Sequence, residues 1–132
     1  FIKPPLEKMN IENDLNLIPE QYRSLSLSEN EIVLPYLEVI GVIKYFRENK
    51  IAVIAWEGWA KYPDNKKSHF GEFQGTISVC RNLCETWNEF VIRSLDFAEN
   101  TIKKDYNEWK INFPPIPELY FCLSLQIQDN EK

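Results

Sequence analysis

Ile51-Ala52-Val53-Ile54-Ala55-Trp56-Glu57-Gly58-Trp59-Ala60-Lys61-Tyr62, running into Pro63-Asp64-Asn65-Lys66, is the stretch on which the reading of the fold turns. It is β-branched and aromatic. Pro63 presets φ and the Asp and Asn after it tolerate turn conformations, so the pattern predicts a strand and a turn. Positions 70–73 and 75–79 supply one or two further strands, and the middle of the chain is expected to be an antiparallel β-meander at the centre of the sheet. Trp56 and Trp59 are three positions apart, so a regular strand turns them to opposite faces and only one belongs to the main core. The other is either covered or functional. Glu57 points away from Trp56, and with Asp64, His69 and Glu72 further along it defines a candidate polar patch.

After this stretch, residues 82–109 carry the strongest helical pattern in the chain. Trp87, Val91, Leu95, Ala98, Ile102, Tyr106 and Trp109 recur at three- and four-residue spacing, which makes a core-facing stripe. Pro114-Pro115 closes that helix, and Leu119, Phe121, Leu123, Leu125 and Ile127 then alternate as in a half-buried final strand. Before the stretch, a helix is expected from Pro35 through Phe46, although its β-branched content keeps a strand reading open. Ser28 and Glu31 have the spacing of a capping box, yet Pro35 would fall inside the helix they began. A short helix begins near Pro19, with Tyr22 and Leu25 packing inward. Residues 1–15 read as a loosely attached N-terminal arm. The expectation is one α+β domain over residues 1–132: an antiparallel meander plus a C-terminal strand, packed against two main helices.

Composition limits the chemistry. A chain of 132 residues with 44% hydrophobic side chains can bury one core without staples. The longest apolar runs fall far short of the roughly 20 residues that span a bilayer, so no membrane association is expected. Three cysteines, Cys80, Cys84 and Cys122, without the spacing of a secreted scaffold, favour a reducing, cytoplasmic setting. The net charge is −5, divided as −3 over residues 1–31, +1 over 32–76 and −3 over 77–132. That balance argues against direct nucleic-acid binding and suits a basic partner. His69 is the single histidine, and Ser68 beside it faces the other way on a strand. The cysteines lack Cys-x2-Cys spacing for zinc, and the four glycines make no phosphate loop. The expectation is a binding protein rather than an enzyme, with no metal and no cofactor.

The carboxylates can be tested on helical geometry. At about 100° per residue, Glu85, Glu89, Asp96 and Glu99 fall within roughly 40° of one line, more than about 100° from the apolar stripe. Such a stripe is ordinarily a solvated face, with Glu89 to Arg93 and Glu99 to Lys103 as i,i+4 pairs. Ile92 lies within it, and an apolar anchor rimmed by carboxylates suits a basic protein surface. On that reading, replacing Asp96 and Glu99 with Lys slows association and leaves the melting temperature nearly unchanged.

Taken together, Trp56-Glu57-Gly58-Trp59, Tyr62-Pro63-Asp64, His69 and Gln74-Gly75-Thr76 resemble a family of small bacterial immunity proteins encoded beside polymorphic or contact-dependent toxins. The resemblance covers residues 45–77. It departs from the family where Asn65 follows the aspartate in place of glycine, and where Lys66-Lys67-Ser68 makes the loop basic. It implies a monomeric cytoplasmic inhibitor that binds the C-terminal domain of a cognate toxin, a basic nuclease, and blocks its active site. The candidate surfaces are then Glu57, Asp64, His69 and Glu72 on the meander, or Glu85, Glu89, Ile92, Asp96 and Glu99 on the helix. The alternative is a small-ligand-binding or hydrolytic α+β domain with a pocket at Trp56, Trp59 and His69.

Overall fold

The computed structural model describes residues 14–63, 67–76, 84–112 and 118–128, with the backbone alone over 67–76. Its elements are α1 (Glu20–Arg23), β1 (Ile32–Pro35), α2 (Tyr36–Asn49), β2 (Ala52–Lys61), β3 (Lys67–Thr76), α3 (Trp87–Asn112) and β4 (Glu118–Gln126). The α+β expectation holds. No helix among the described residues is long and apolar enough to cross a membrane.

The four strands lie in the order β1-β4-β2-β3, and every neighbouring pair is antiparallel. β1 and β2 are therefore parallel to each other with β4 between them, and β3 and β4 are parallel with β2 between them. Each parallel pair is joined by a helix, α2 or α3, so the chain forms two interlocked split β-α-β units. The expected hairpin exists as β2-β3, but it does not form the centre of the sheet: β4 and β2 are the inner strands and β3 lies outside them. The reason is burial. Leu119, Phe121 and Leu123 of β4 are in the main core, and a strand that buries so many large side chains is most stable with neighbours on both sides. A strand unforeseen in the sequence, β1, pairs Ile32 with Leu123 and Pro35 with Tyr120. Its four residues are too few to show alternation, and Pro35 both ends the strand and stands at the N-cap of α2.

Both main helices pack on one face of the sheet. Val39, Val42, Ile43 and Phe46 of α2 and Trp87, Phe90, Val91, Leu95, Ala98, Ile102 and Trp109 of α3 meet Ile32, Leu34, Trp56, Phe121 and Leu123 in one cluster. The helices are antiparallel, because Tyr36 at the start of α2 stacks on Tyr106 late in α3, with ring centroids 3.9 Å apart. At the other end the Trp87 Nε1–H donates to the Lys50 carbonyl at 2.9 Å. Lys50 closes α2 in the left-handed conformation, φ 58°, with its N–H donating to the Phe46 carbonyl. Tyr22 packs against the core as expected, while Leu25 remains 47% exposed because α1 ends at Arg23, before Leu25 is turned inward.

A bulge in β2 between Val53 and Ala55 breaks its register with β4. There the fully buried Ser94 of α3 accepts a hydrogen bond from the Val53 N–H at 3.3 Å and donates to the Val91 carbonyl at 3.1 Å. Ser94 thus occupies an apolar-stripe position because the bulge leaves a buried donor to be satisfied. Ser94→Ala is expected to destabilise the protein by about 1–2 kcal/mol, since it strands that N–H in the core. Urea unfolding will show this as a lower midpoint at unchanged slope.

Candidate functional site

The helical carboxylates have structural partners. Arg47 of α2 reaches across to Asp96 at 2.9 Å and to Glu99 at 2.7 Å, and Glu99 also meets Lys103 at 3.0 Å. The hydrogen bond from Arg47, reinforced by Lys103, holds the Glu99 carboxyl below its ordinary range. Arg93 pairs with Glu85 through two bonds of 2.8 and 3.0 Å, not with Glu89 as spacing suggested. Glu89 instead closes a capping box: its Oε1 accepts from the Thr86 N–H at 2.9 Å, and Thr86 Oγ1 accepts from the Glu89 N–H at 3.1 Å. The Thr-x-x-Glu signal was present in the sequence and marks the start of α3. Ile92 remains, 54% exposed on the same face. Asp96 and Glu99 both bridge α3 to α2 through Arg47, which gives a thermal consequence to reversing them as a new expectation.

The middle stretch divides between the two faces of the sheet. Trp56 is buried in the main core, whereas Trp59 joins Val33 and Cys122 in a second cluster on the opposite face, flanked by Leu27 and Tyr120. The two buried tryptophans, on opposite faces, do not line one pocket. Glu57 is half-buried on the Trp59 side, in register with Cys122. In β3 the backbone of His69 stands opposite Trp59, and Glu72 falls where β3 leaves register between Phe70 and Gln74. Asp64 and the side chains of His69 and Glu72 lie outside the described residues.

Beside the end of β4 lies a second group of carboxylates that the sequence reading passed over. Beyond the end of the β1–β4 register, the Leu125 N–H donates to Asp14 Oδ2 at 3.4 Å. Asp14 and Leu15, assigned from sequence to the loose arm, are therefore docked, with Leu15 in the core cluster. Residues 1–13 lie outside the described residues. Across from Asp14, serines fix the loop before β1. The Ser26 hydroxyl donates to the Glu31 carbonyl at 2.7 Å and accepts from the Val33 N–H at 3.0 Å. Ser28 Oγ accepts from the Asn30 and Glu31 N–H groups, both at 3.1 Å. Ser28 thus organises a turn rather than a helix start.

Asp14, Asn30, Glu31, Cys122, Leu123 and Ser124 line a cleft of about 210 Å³ at this corner. Burial pushes the Asp14 carboxyl up to about 6, against the opposing Leu125 bond and with help from Glu31. Burial likewise pushes the Cys122 thiol up to about 12, with Glu31, Glu57 and Asp14 adding to it. The thiol is therefore neutral and unreactive at physiological pH. Among the described residues no ion pair engages Asp14 or Glu31, and no group of three His, Cys, Asp or Glu side chains is arranged to hold a metal. What the cleft offers chemically is hydrogen-bond acceptance in a negative field.

Two outcomes are expected. Replacing Asp96 and Glu99 together with Lys sets new cations against Arg47 and lowers stability by about 1 kcal/mol or more, visible as a lower melting temperature. For Asp14, the folded carboxyl near 6 binds its proton more readily than the ordinary group at 3.8. Its favourable contribution is therefore complete below about 3.8 and is lost as pH rises through about 6. Asp14→Asn should gain melting temperature relative to the parent on going from pH 4 to pH 7. A difference that stays constant with pH would refute this account of the Asp14 environment.

No family model matches the chain, and no curated protein or solved structure matches it, so the chemistry of these surfaces is argued from their own geometry.

Proposed function

We propose that the protein is an immunity protein that neutralises a cognate toxin, binding the toxin's basic C-terminal domain and covering its active site. It acts as a cytoplasmic monomer without a cofactor and without touching nucleic acid itself. The supporting observation is the unequal engagement of its carboxylates. Asp96 and Glu99 of α3 and Glu85 just before it are tied to Arg47, Lys103 and Arg93, and Glu89 to the helix N-terminus, whereas Asp14 and Glu31 beside the end of β4 have no ion pair among the described residues. A basic toxin meets carboxylates there in the place of phosphates, which favours fast association and rejects acidic surfaces. Glu57, half-buried on the Trp59 side of the sheet, is a further candidate contact, while Ile92 and its acidic neighbours form the less available surface.

The test is co-expression with the reading frame immediately upstream. The expected result is rescue of growth from that product's toxicity, together with a one-to-one complex containing its basic C-terminal fragment. Association should slow by about tenfold or more as salt rises from low to molar ionic strength. A protein that elutes alone and gives no rescue would overturn the proposal.

A further inference from the structure

We propose that the stacked pair of Tyr36 and Tyr106 is an oxidative cross-linking site, at which a one-electron oxidant joins the two phenol rings by a carbon–carbon bond and staples α2 to α3. Neither ring belongs to the surfaces of the immunity reading, and the site stands on the geometry of the stack.

Tyr36 opens α2 and Tyr106 lies late in α3, with ring centroids 3.9 Å apart and planes only 2° from parallel. Aromatic pairs ordinarily keep their centroids about 4.5–7 Å apart. At a carbon–carbon contact of about 3.5 Å, the observed separation leaves the rings offset by less than about 2 Å, so they overlap. The backbone around them is held. Pro35, just before Tyr36, is in register with Tyr120 of β4, and Arg47 further along α2 bridges Asp96 and Glu99 of α3. Lys110 Nζ, 5.4 Å from the Tyr106 centroid, adds a cation–π contact to the same ring. Both tyrosines pack against the core yet are only half-buried, which leaves them open to a small oxidant and to water. Among the described residues no other two tyrosine rings are in contact: Tyr45 meets Phe46, and Tyr62 is 39% exposed.

Each phenol gives an electron to the oxidant and its hydroxyl proton to water, which leaves a phenoxyl radical with spin density on the Cε carbons beside the oxygen. Two such radicals in contact pair their electrons in a new Cε–Cε bond. Each of these carbons then releases its hydrogen as a proton while the oxygen takes one up, and both rings are phenols again. With persulfate as the terminal oxidant, one ion accepts both electrons and leaves as two sulfates, and the two net protons go to water. Coupling within the stack needs no diffusion, whereas a radical on Tyr62 must wait for a second chain. Rotation of the two side chains closes the bond, because the spacing of α2 and α3 is already set by Arg47 and its carboxylates.

The experiment is brief illumination of the dilute full chain with a ruthenium tris-bipyridyl complex and limiting persulfate, followed by proteolysis and mass spectrometry. The expected product is a monomer on denaturing gels that shows dityrosine fluorescence and carries one linked peptide pair, Tyr36 to Tyr106, lighter than its two parts by the hydrogens lost. Its yield should fall by about tenfold or more in Tyr36→Phe and in Tyr106→Phe, because each removes one radical of a pair whose proximity replaces diffusion, and should equal the parent's in Tyr62→Phe. Phenylalanine keeps a ring in the stack, and an amide spectrum matching the parent's away from the substitution establishes that each variant is folded. The linked monomer should also unfold at a higher urea concentration than the untreated chain, since the link joins residues distant in sequence, while Tyr36→Phe treated in the same way should show no rise. Chain-to-chain dimers as the principal product, an intrachain link at another pair, or an equal yield in folded Tyr36→Phe would overturn the proposal. So would the absence of any link under illumination that couples free N-acetyltyrosinamide. An unchanged urea midpoint in the isolated linked monomer would overturn the stapling of α2 to α3.

Discussion

The insertion of β4 between β1 and β2 is the constraint on which the rest of this structure depends. A strand with a period of two has two faces, and β4 uses them for different purposes. Leu119, Phe121 and Leu123 enter the core beneath α2 and α3. Tyr120, Cys122 and Ser124 face outward, where Cys122 joins Trp59 and Val33 and, with Ser124, floors the acidic cleft. A slip of one residue would exchange these sets, placing Ser124 in the core and Phe121 in water. Core and cleft are thus held in register by the same hydrogen-bonded ladder.

The helices complete this arrangement in a way that divides the charge. The two split β-α-β units lay α2 and α3 antiparallel on one face, so carboxylates of α3 meet the basic end of α2 at Arg47. That pairing, together with the Glu85–Arg93 bridge and the Thr86–Glu89 capping box, neutralises a face that looks strongly acidic in a linear sequence. Among the described residues the other face of the sheet carries no helix, and Asp14 and Glu31 beside the end of β4 have no ion pair. Burial raises the Asp14 carboxyl there, and Glu31 adds to it.

The β2 bulge shows the same economy of local exceptions. Inserting one extra residue at Val53–Ala55 frees an N–H, and Ser94 answers it from a position that the helical period assigns to an apolar side chain. Gly41 is a second case. A Cβ at that position would lie 2.7 Å from the Tyr22 hydroxyl, so a residue without a side chain lets α1 close onto α2. Both departures from pattern mark places where two elements touch.

The sequence alone determined the α+β class, the two main helices with their buried stripes, the β2–β3 hairpin and the final alternating strand. These follow from periodicity, which is local. It also placed Trp56 and Trp59 on opposite faces. Only the tertiary structure decided the order of the strands, because pairing between Ile32 and Leu123 joins segments that no local pattern connects. It also decided which carboxylates are engaged, because Arg47 meets Asp96 and Glu99 only after α2 and α3 have packed. Asp14 and Glu31 were indistinguishable from solvated charge in the sequence. The burial of Asp14 and its proximity to Glu31 arise only when the chain returns as β4 to pass beside them.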